Sequence, residues 1–320
     1  MNLHLLFSNL TNPTLLFFVL GIIATTLKSD LEIPASTSKF ISLYLLFSIG
    51  FKGGQELAHS SFNMEIIYSL LAGLIIASAI PFYTFFILKR KLSISDSAAV
   101  AAAYGSVSAV TFVAAVSFLE IQKISFGGHM VAVMAMMESP AIIVGVILLM
   151  FYERETRCTT KLSETLKHSV TNGSVLLITG SLIIGLIADT KQAEGIKPFT
   201  TDIFKGFLAI FLLEMGMVTA KRFSAFKKYG WFASSFALII PLINGCLVAF
   251  LSHYFIQDIG NRFMLSILAA SASYIAVPAA MRIAAPKADP GLYIPMALGI
   301  TFPFNITIGM PIYFLIIQNI

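Results

Sequence analysis

Ten apolar runs, each close to the length of a bilayer-spanning helix, leave this 320-residue chain few folds to choose from. They cover residues 13–28, 37–52, 64–88, 96–119, 128–152, 174–189, 203–220, 231–255, 263–284 and 292–317. A hydrocarbon core about 30 Å thick needs about 20 mostly apolar residues at the helical rise of about 1.5 Å each. Charged residues make up 12% of the chain and its mean hydropathy is +0.87, against about 25% charged in ordinary soluble domains. That leaves too little polar surface for a body dissolved in water. In lipid, each backbone polar group needs an internal partner, so the expected fold is an all-α membrane protein. Residues 1–12 lack a basic segment and a clear cleavage site, so the first run reads as a retained helix.

Loop charges set an orientation. Ten spans place loops alternately on two sides. Lys52, Lys123, Lys191, Lys197, Lys205 and Arg262 fall on one side, and the other 15 of the 21 basic residues fall opposite. The richer side is expected to be cytoplasmic in a bacterial-type inner membrane, with both termini outside and the hydrophilic stretch 153–173 inside. The net charge of +5 therefore follows membrane topology and implies no nucleic-acid partner. Cys158 and Cys246 suggest neither a disulfide framework nor a metal site. No Gly-x-Ser-x-Gly, His-Glu-x-x-His or phosphate loop is present, so enzyme chemistry is not expected.

The halves echo each other. Leu45-Leu46-Phe47-Ser48-Ile49-Gly50 aligns with Phe211-Leu212-Leu213-Glu214-Met215-Gly216, Ser106 with Ser273, and Ser139-Pro140 with Phe302-Pro303, at offsets of 166, 167 and 163. Five spans per half is odd, so the second half enters from the opposite side. The expected organisation is a first repeat over 1–152, a cytoplasmic linker over 153–173 and an inverted repeat over 174–320, an architecture common among secondary transporters.

The fourth and ninth runs carry hydroxyls and small residues in mid-span: Ser106, Ser108, Ala109, Val110 and Thr111 in one, Ser271, Ser273, Tyr274, Ala276 and Val277 in the other. Pro278 lacks an N–H but suits the start of a helix. The ninth run thus reads as two half-helices, the second beginning near Pro278, and the repeat places a matching break near Ser108–Thr111. Half-helix N-termini expose unpaired N–H groups and the positive end of the helix dipole, which makes their meeting point an anion site. The same small residues would also serve close helix packing.

Two acids lie at membrane depth, where charge is costly and usually functional or paired. Glu138, followed by Pro140, is a candidate cation ligand: its carboxylate and the carbonyls freed by the proline are hard oxygen donors that suit Na⁺. Ser271, Thr301 and Asn305 are candidates for neutral oxygen ligands; Thr301 and Asn305, the repeat counterparts of the Glu138 region, would otherwise supply only interhelical hydrogen bonds. Glu214 is expected to pair with Lys52, placed in a glycine-rich break after the second run, unless Lys52 snorkels to the interface.

At these segments the chain resembles the sodium-dependent bicarbonate transporter family of cyanobacteria and related bacterial permeases, nearly end to end. The resemblance is carried by Ile49-Gly50-Phe51-Lys52-Gly53-Gly54, by Gly105-Ser106-Val107-Ser108 with Thr111, and by Glu138-Ser139-Pro140-Ala141. Further along it is carried by Met215-Gly216-Met217, by Ala269-Ala270-Ser271 with Ser273 and Pro278, and by Ala288-Asp289-Pro290 with Tyr293. It implies a five-plus-five inverted fold with core and gate domains, a homotrimer, Na⁺-coupled uptake of an anion held at the crossing half-helices, and control by a small PII-like cytoplasmic protein. The family pattern has Gly-Ser where Ala109-Val110 stand, Asp at Tyr274 and Ser-Gly at Ala276-Val277. The expected function is Na⁺-coupled symport of a small anion, with bicarbonate leading. The more apolar lining at Ala109, Val110, Tyr274 and Val277 keeps open a small organic carboxylate as substrate, and beyond transport, a membrane sensor or scaffold.

Overall fold

A computed structural model describes residues 13–59, 63–153, 171, 173–226 and 230–320. Most of the linker, 154–170 and 172, lies outside the described residues. Those described form helices and connecting turns, with no strand among them.

The chain runs through α1 (Pro13–Thr26), α2 (Ala35–His59), α3 (Met64–Leu88), α4 (Ile94–Gly105), α5 (Ala109–Ile121) and α6 (His129–Tyr152). It continues through α7 (Gly173–Ile187), α8 (Thr190–Lys197), α9 (Phe204–Phe226), α10 (Gly230–Leu251), α11 (Ile259–Ala270) and α12 (Ala276–Ala284), and ends in the helical stretch α13 (Pro290–Gln318). Among the described residues six helical stretches are long and apolar enough to cross a bilayer: Met64–Leu88, Ile94–Ile121, His129–Tyr152, Thr190–Lys221, Gly230–Tyr254 and Pro290–Gln318. Large apolar side chains such as Ile75, Phe151 and Ile184 are exposed on the outside of the bundle. That is costly in water and natural against lipid tails.

Two helix pairs are zipped by glycine. A Cβ on Gly21 of α1 would strike the Leu213 carbonyl of α9, and one on Gly216 of α9 would strike the Phe18 carbonyl of α1. Likewise Gly54 of α2 meets the backbone of Leu182 and Leu186 in α7, and Gly185 of α7 meets the Phe51 carbonyl. Lipid offers no hydrophobic drive between helices, so close backbone approach of this kind supplies the attraction. The glycine-rich segment around Lys52 is therefore not a break. Helix α2 runs unbroken through it to His59, because Gly50 and Gly54 face α7 and Gly53 faces Val131 of α6.

The remaining helices enclose α4 and α5. Ala98, Ala99, Val100, Ala101, Ala102 and Ala103 are fully buried, and Gly105 lies against the Pro81 ring of α3. Arg262 of α11 is also buried. Its guanidinium donates to the Ala249 carbonyl (3.3 Å), the Ile317 carbonyl (3.4 Å) and Ser252 Oγ (3.5 Å). The two carbonyls sit in the last turns of α10 and α13, where carbonyls lack helical partners and the dipole is negative. Replacing Arg262 by Met is expected to cost about 2–3 kcal/mol, read as a lowered melting temperature in detergent with uptake per folded molecule preserved.

Candidate functional site

Both breaks read from the sequence are present. Helix α4 ends at Gly105 and α5 starts at Ala109, with Ser108 as its N-cap accepting from the Thr111 N–H at 3.1 Å. Helix α11 ends at Ala270 and α12 starts at Ala276, so Pro278 stands in its first turn. Between them run two extended stretches that bond to each other. The Ser273 N–H donates to the Ala103 carbonyl at 2.8 Å, and the Ser108 N–H donates to Ser271 Oγ at 3.0 Å. Ser271 Oγ donates onward to the Leu268 carbonyl at 2.9 Å. Each stretch thus holds the other where its own helix has stopped supplying partners.

The N-termini differ. The first turn of α5 is capped by Ser108, whereas Ile275 before α12 offers no side-chain cap. The Ser273 hydroxyl reaches the Val277 N–H only at 3.4 Å. The α12 end is the more open donor of the two.

Helix α13 braces both breaks. Its Thr301 hydroxyl lies 2.8 Å from Tyr104 Oη, in the last turn of α4, and donates to the Ala237 carbonyl at 2.8 Å. Asn305 Nδ2 donates to the Ala270 carbonyl, the end of α11, at 2.8 Å, and Asn305 Oδ1 accepts from Tyr313 Oη at 3.2 Å. The helix is wound wide, as π-helix, over Met296–Thr301 and Asn305–Gly309, and such turns often re-aim side chains at functional positions.

At the crossing lies a cavity of about 20 Å³, room for about one water-sized group. Val107, Ser108 and Ala109 line it from the first break, Ser273, Tyr274 and Ile275 from the second, Glu138 from α6, Leu46 from α2 and Ser174 from α7. Glu138 is buried, and its Oε2 has no hydrogen-bond partner. The structure therefore gathers Ser108, Ala109, Ser273 and Tyr274 with Glu138. Val110, Thr111, Ala276 and Val277 form the buried first turns of α5 and α12 behind them, and Ser106 is buried with an unpartnered hydroxyl. Ser271, Thr301 and Asn305 do not line the cavity; their polar atoms hold the broken ends in place.

Leu46, Val107, Ser174 and Ile275 line the cavity without being candidates from the sequence. Leu46 and Ser174 reach the cavity only through the rotation of α2 and α7, which no local pattern encodes. The expected Lys52–Glu214 pair is not formed. Lys52 Nζ pairs with Glu120 Oε1 at 3.7 Å, and Lys205 Nζ with Glu120 Oε2 at 3.0 Å. Lys205 opens α9, and Glu214 lies nine residues further along it, about 14 Å deeper, out of reach of a lysine at that level. Glu214 is instead buried, next in the chain to Met215, whose Sδ lies 3.9 Å from Tyr274 Oη, and the Glu214 Oε2 has no partner.

Two interrupted helices whose ends meet inside an apolar bundle, around a buried carboxylate, define a membrane transport protein. Residues 13–318 match the family model of the Na⁺-dependent bicarbonate transporter superfamily, nearly the whole chain, and the chain belongs to that superfamily. A search of curated proteins finds no match.

Proposed function

We propose that this protein is a secondary transporter that couples Na⁺ to the uptake of bicarbonate, binding both at the crossing of the broken helices. The observation that carries this reading is the cavity itself. It joins the open N-terminus of α12, an anion-attracting end, to a buried carboxylate with a bare oxygen, a hard donor for a small cation. Glu138 would hold Na⁺, with Ser108 and Ser273 nearest to share it; the anion would sit on the N–H groups that begin α12. Each ion offsets the other's charge, so the loaded site crosses at lower cost than either ion alone.

The ten-span, five-plus-five inverted arrangement is the framework of the same proposal. Its support is the pairing of α1 with α9 and α2 with α7, which are exchanged by the repeat and joined by the same glycine seam. Those four helices would form the gate, and α3–α6 with α10–α13 the moving core. The distribution of loop charges supports an inner-membrane orientation with both termini outside. A homotrimer and a PII-like regulator remain what the resemblance implies.

As it stands the cavity holds neither bicarbonate, with its four heavy atoms, nor a carboxylate with an apolar tail; Tyr274 must yield for either anion to enter, and the room it leaves decides whether a tail can follow. Replacing Tyr274 by Ala is expected to open that room. Propionate should then inhibit bicarbonate uptake at least ten-fold more strongly than in the parent protein, as inhibition constants in proteoliposomes would measure. The function itself is tested by labelled bicarbonate uptake with and without an inward Na⁺ gradient. Gradient-dependent accumulation is expected; folded protein that accumulates nothing would turn the reading towards a sensor.

A further inference from the structure

A larger chamber of about 500 Å³ lies between α5 and the start of α9, with α2 as its third wall. Ser48, Thr200 and Thr201 bring hydroxyls to it, and Lys52, Glu120 and Lys205 bring charge. A second chamber of about 290 Å³ continues past the Lys52–Glu120 pair and adds Glu56 and Lys123. Val116 lines both. It stands seven residues beyond Ala109 on α5, so the chamber lies about 10 Å from the crossing cavity.

We propose that Lys52 and Lys205 form an anion-capture site in this vestibule, with Glu120 as its resident competitor, and that the ligand is a small carboxylate-like monoanion such as bicarbonate. Capture at this site presupposes the anion transport proposed above. The geometry shows how such an ion is held. Two ammonium groups from two helices grip the two oxygens of one carboxylate, at 3.7 and 3.0 Å, and bicarbonate presents the same pair of oxygens on one carbon. Both lysines are about half exposed or more, 45% and 67%, so the pairs are weak and exchangeable. Asp202 is the remaining charged residue of the larger chamber. Lys52, Lys123 and Lys205 stand against Glu56, Glu120 and Asp202, so the walls carry no net charge. An anion therefore enters by displacing Glu120 rather than by a standing positive field.

Displacement fixes the sign of each effect. In proteoliposomes with an inward Na⁺ gradient, Glu120→Gln is expected to lower the KM for bicarbonate several-fold, since the competitor is gone. The double variant Lys52→Gln with Lys205→Gln is expected to raise it about ten-fold, with kcat nearly unchanged in both. A plain ionic latch between α5 and its neighbours predicts otherwise, because breaking it from either side moves kcat in the same direction. Such a result, or a KM unmoved by both variants while the parent transports bicarbonate, overturns the capture site alone. A parent protein that takes up no bicarbonate overturns the transport reading and this site with it.

Discussion

Glu138→Gln is expected to reduce Na⁺-dependent uptake at least a hundred-fold while leaving the protein folded. Glutamine keeps the size and one carbonyl of glutamate but removes its charge. Glu138 is the one charged side chain among the described residues that line the crossing cavity, so a cation there would lose its counter-charge. A hundred-fold is about 2.7 kcal/mol, within the range for a hydrogen bond or contact to a charged group in a dry site. Stability should move the other way. An ionised carboxylate with a bare oxygen is costly to bury, so without Na⁺ the variant should melt at the parent's temperature or above it. Added Na⁺ should then stabilise the parent and not the variant. A Glu138→Gln variant that still accumulates bicarbonate on a Na⁺ gradient would remove Glu138 from the mechanism.

The features legible in the sequence are those that depend on neighbours along the chain. The break before α12 follows from Pro278 and the hydroxyl-rich residues before it; the break before α5 follows only through the repeat, which sets Thr111 against Pro278, and the structure closes it with Ser108 capping the Thr111 N–H. Membrane-length apolar runs locate the helices for the same reason. The features that stayed hidden depend on how one helix is rotated against another. Gly50 and Gly54 read as a flexible break because glycine loosens a lone helix; against α7 they tighten a seam instead. Thr301 and Asn305 read as ion ligands or interhelical hydrogen-bond donors by their place in the repeat. The second role is the one α13 gives them, by turning them onto Ala237 and Ala270, and its π-helical windings leave no mark in composition. Helix α8 is short and polar, so hydropathy passed over it. Lys52 found Glu120 rather than Glu214 because the pairing depends on depth along α9, which spacing within one segment does not report.

The same seam supports a second large effect. Leucine at Gly54 is expected to lower stability by about 3 kcal/mol or more and to leave little monodisperse protein after extraction. The added side chain has no free direction. Its Cβ alone would overlap the Leu182 carbonyl and crowd the Leu186 nitrogen, both backbone atoms of α7, and backbone cannot yield by changing rotamer. Ordinary overpacking costs about 1–3 kcal/mol when side chains can shift, so a clash with backbone belongs at or above the top of that range. Gly216→Leu should behave alike, because it meets the Phe18 carbonyl of α1 in the matching pair. Gly180 supplies the control. It lies in the same helix as Gly185 but has nothing within 4 Å of its would-be Cβ, and leucine there should be tolerated or mildly stabilising as a better helix former. Melting curves of the three variants in one detergent separate the cases. If Gly54→Leu and Gly180→Leu melt together, close approach of α2 and α7 is not what holds this pair.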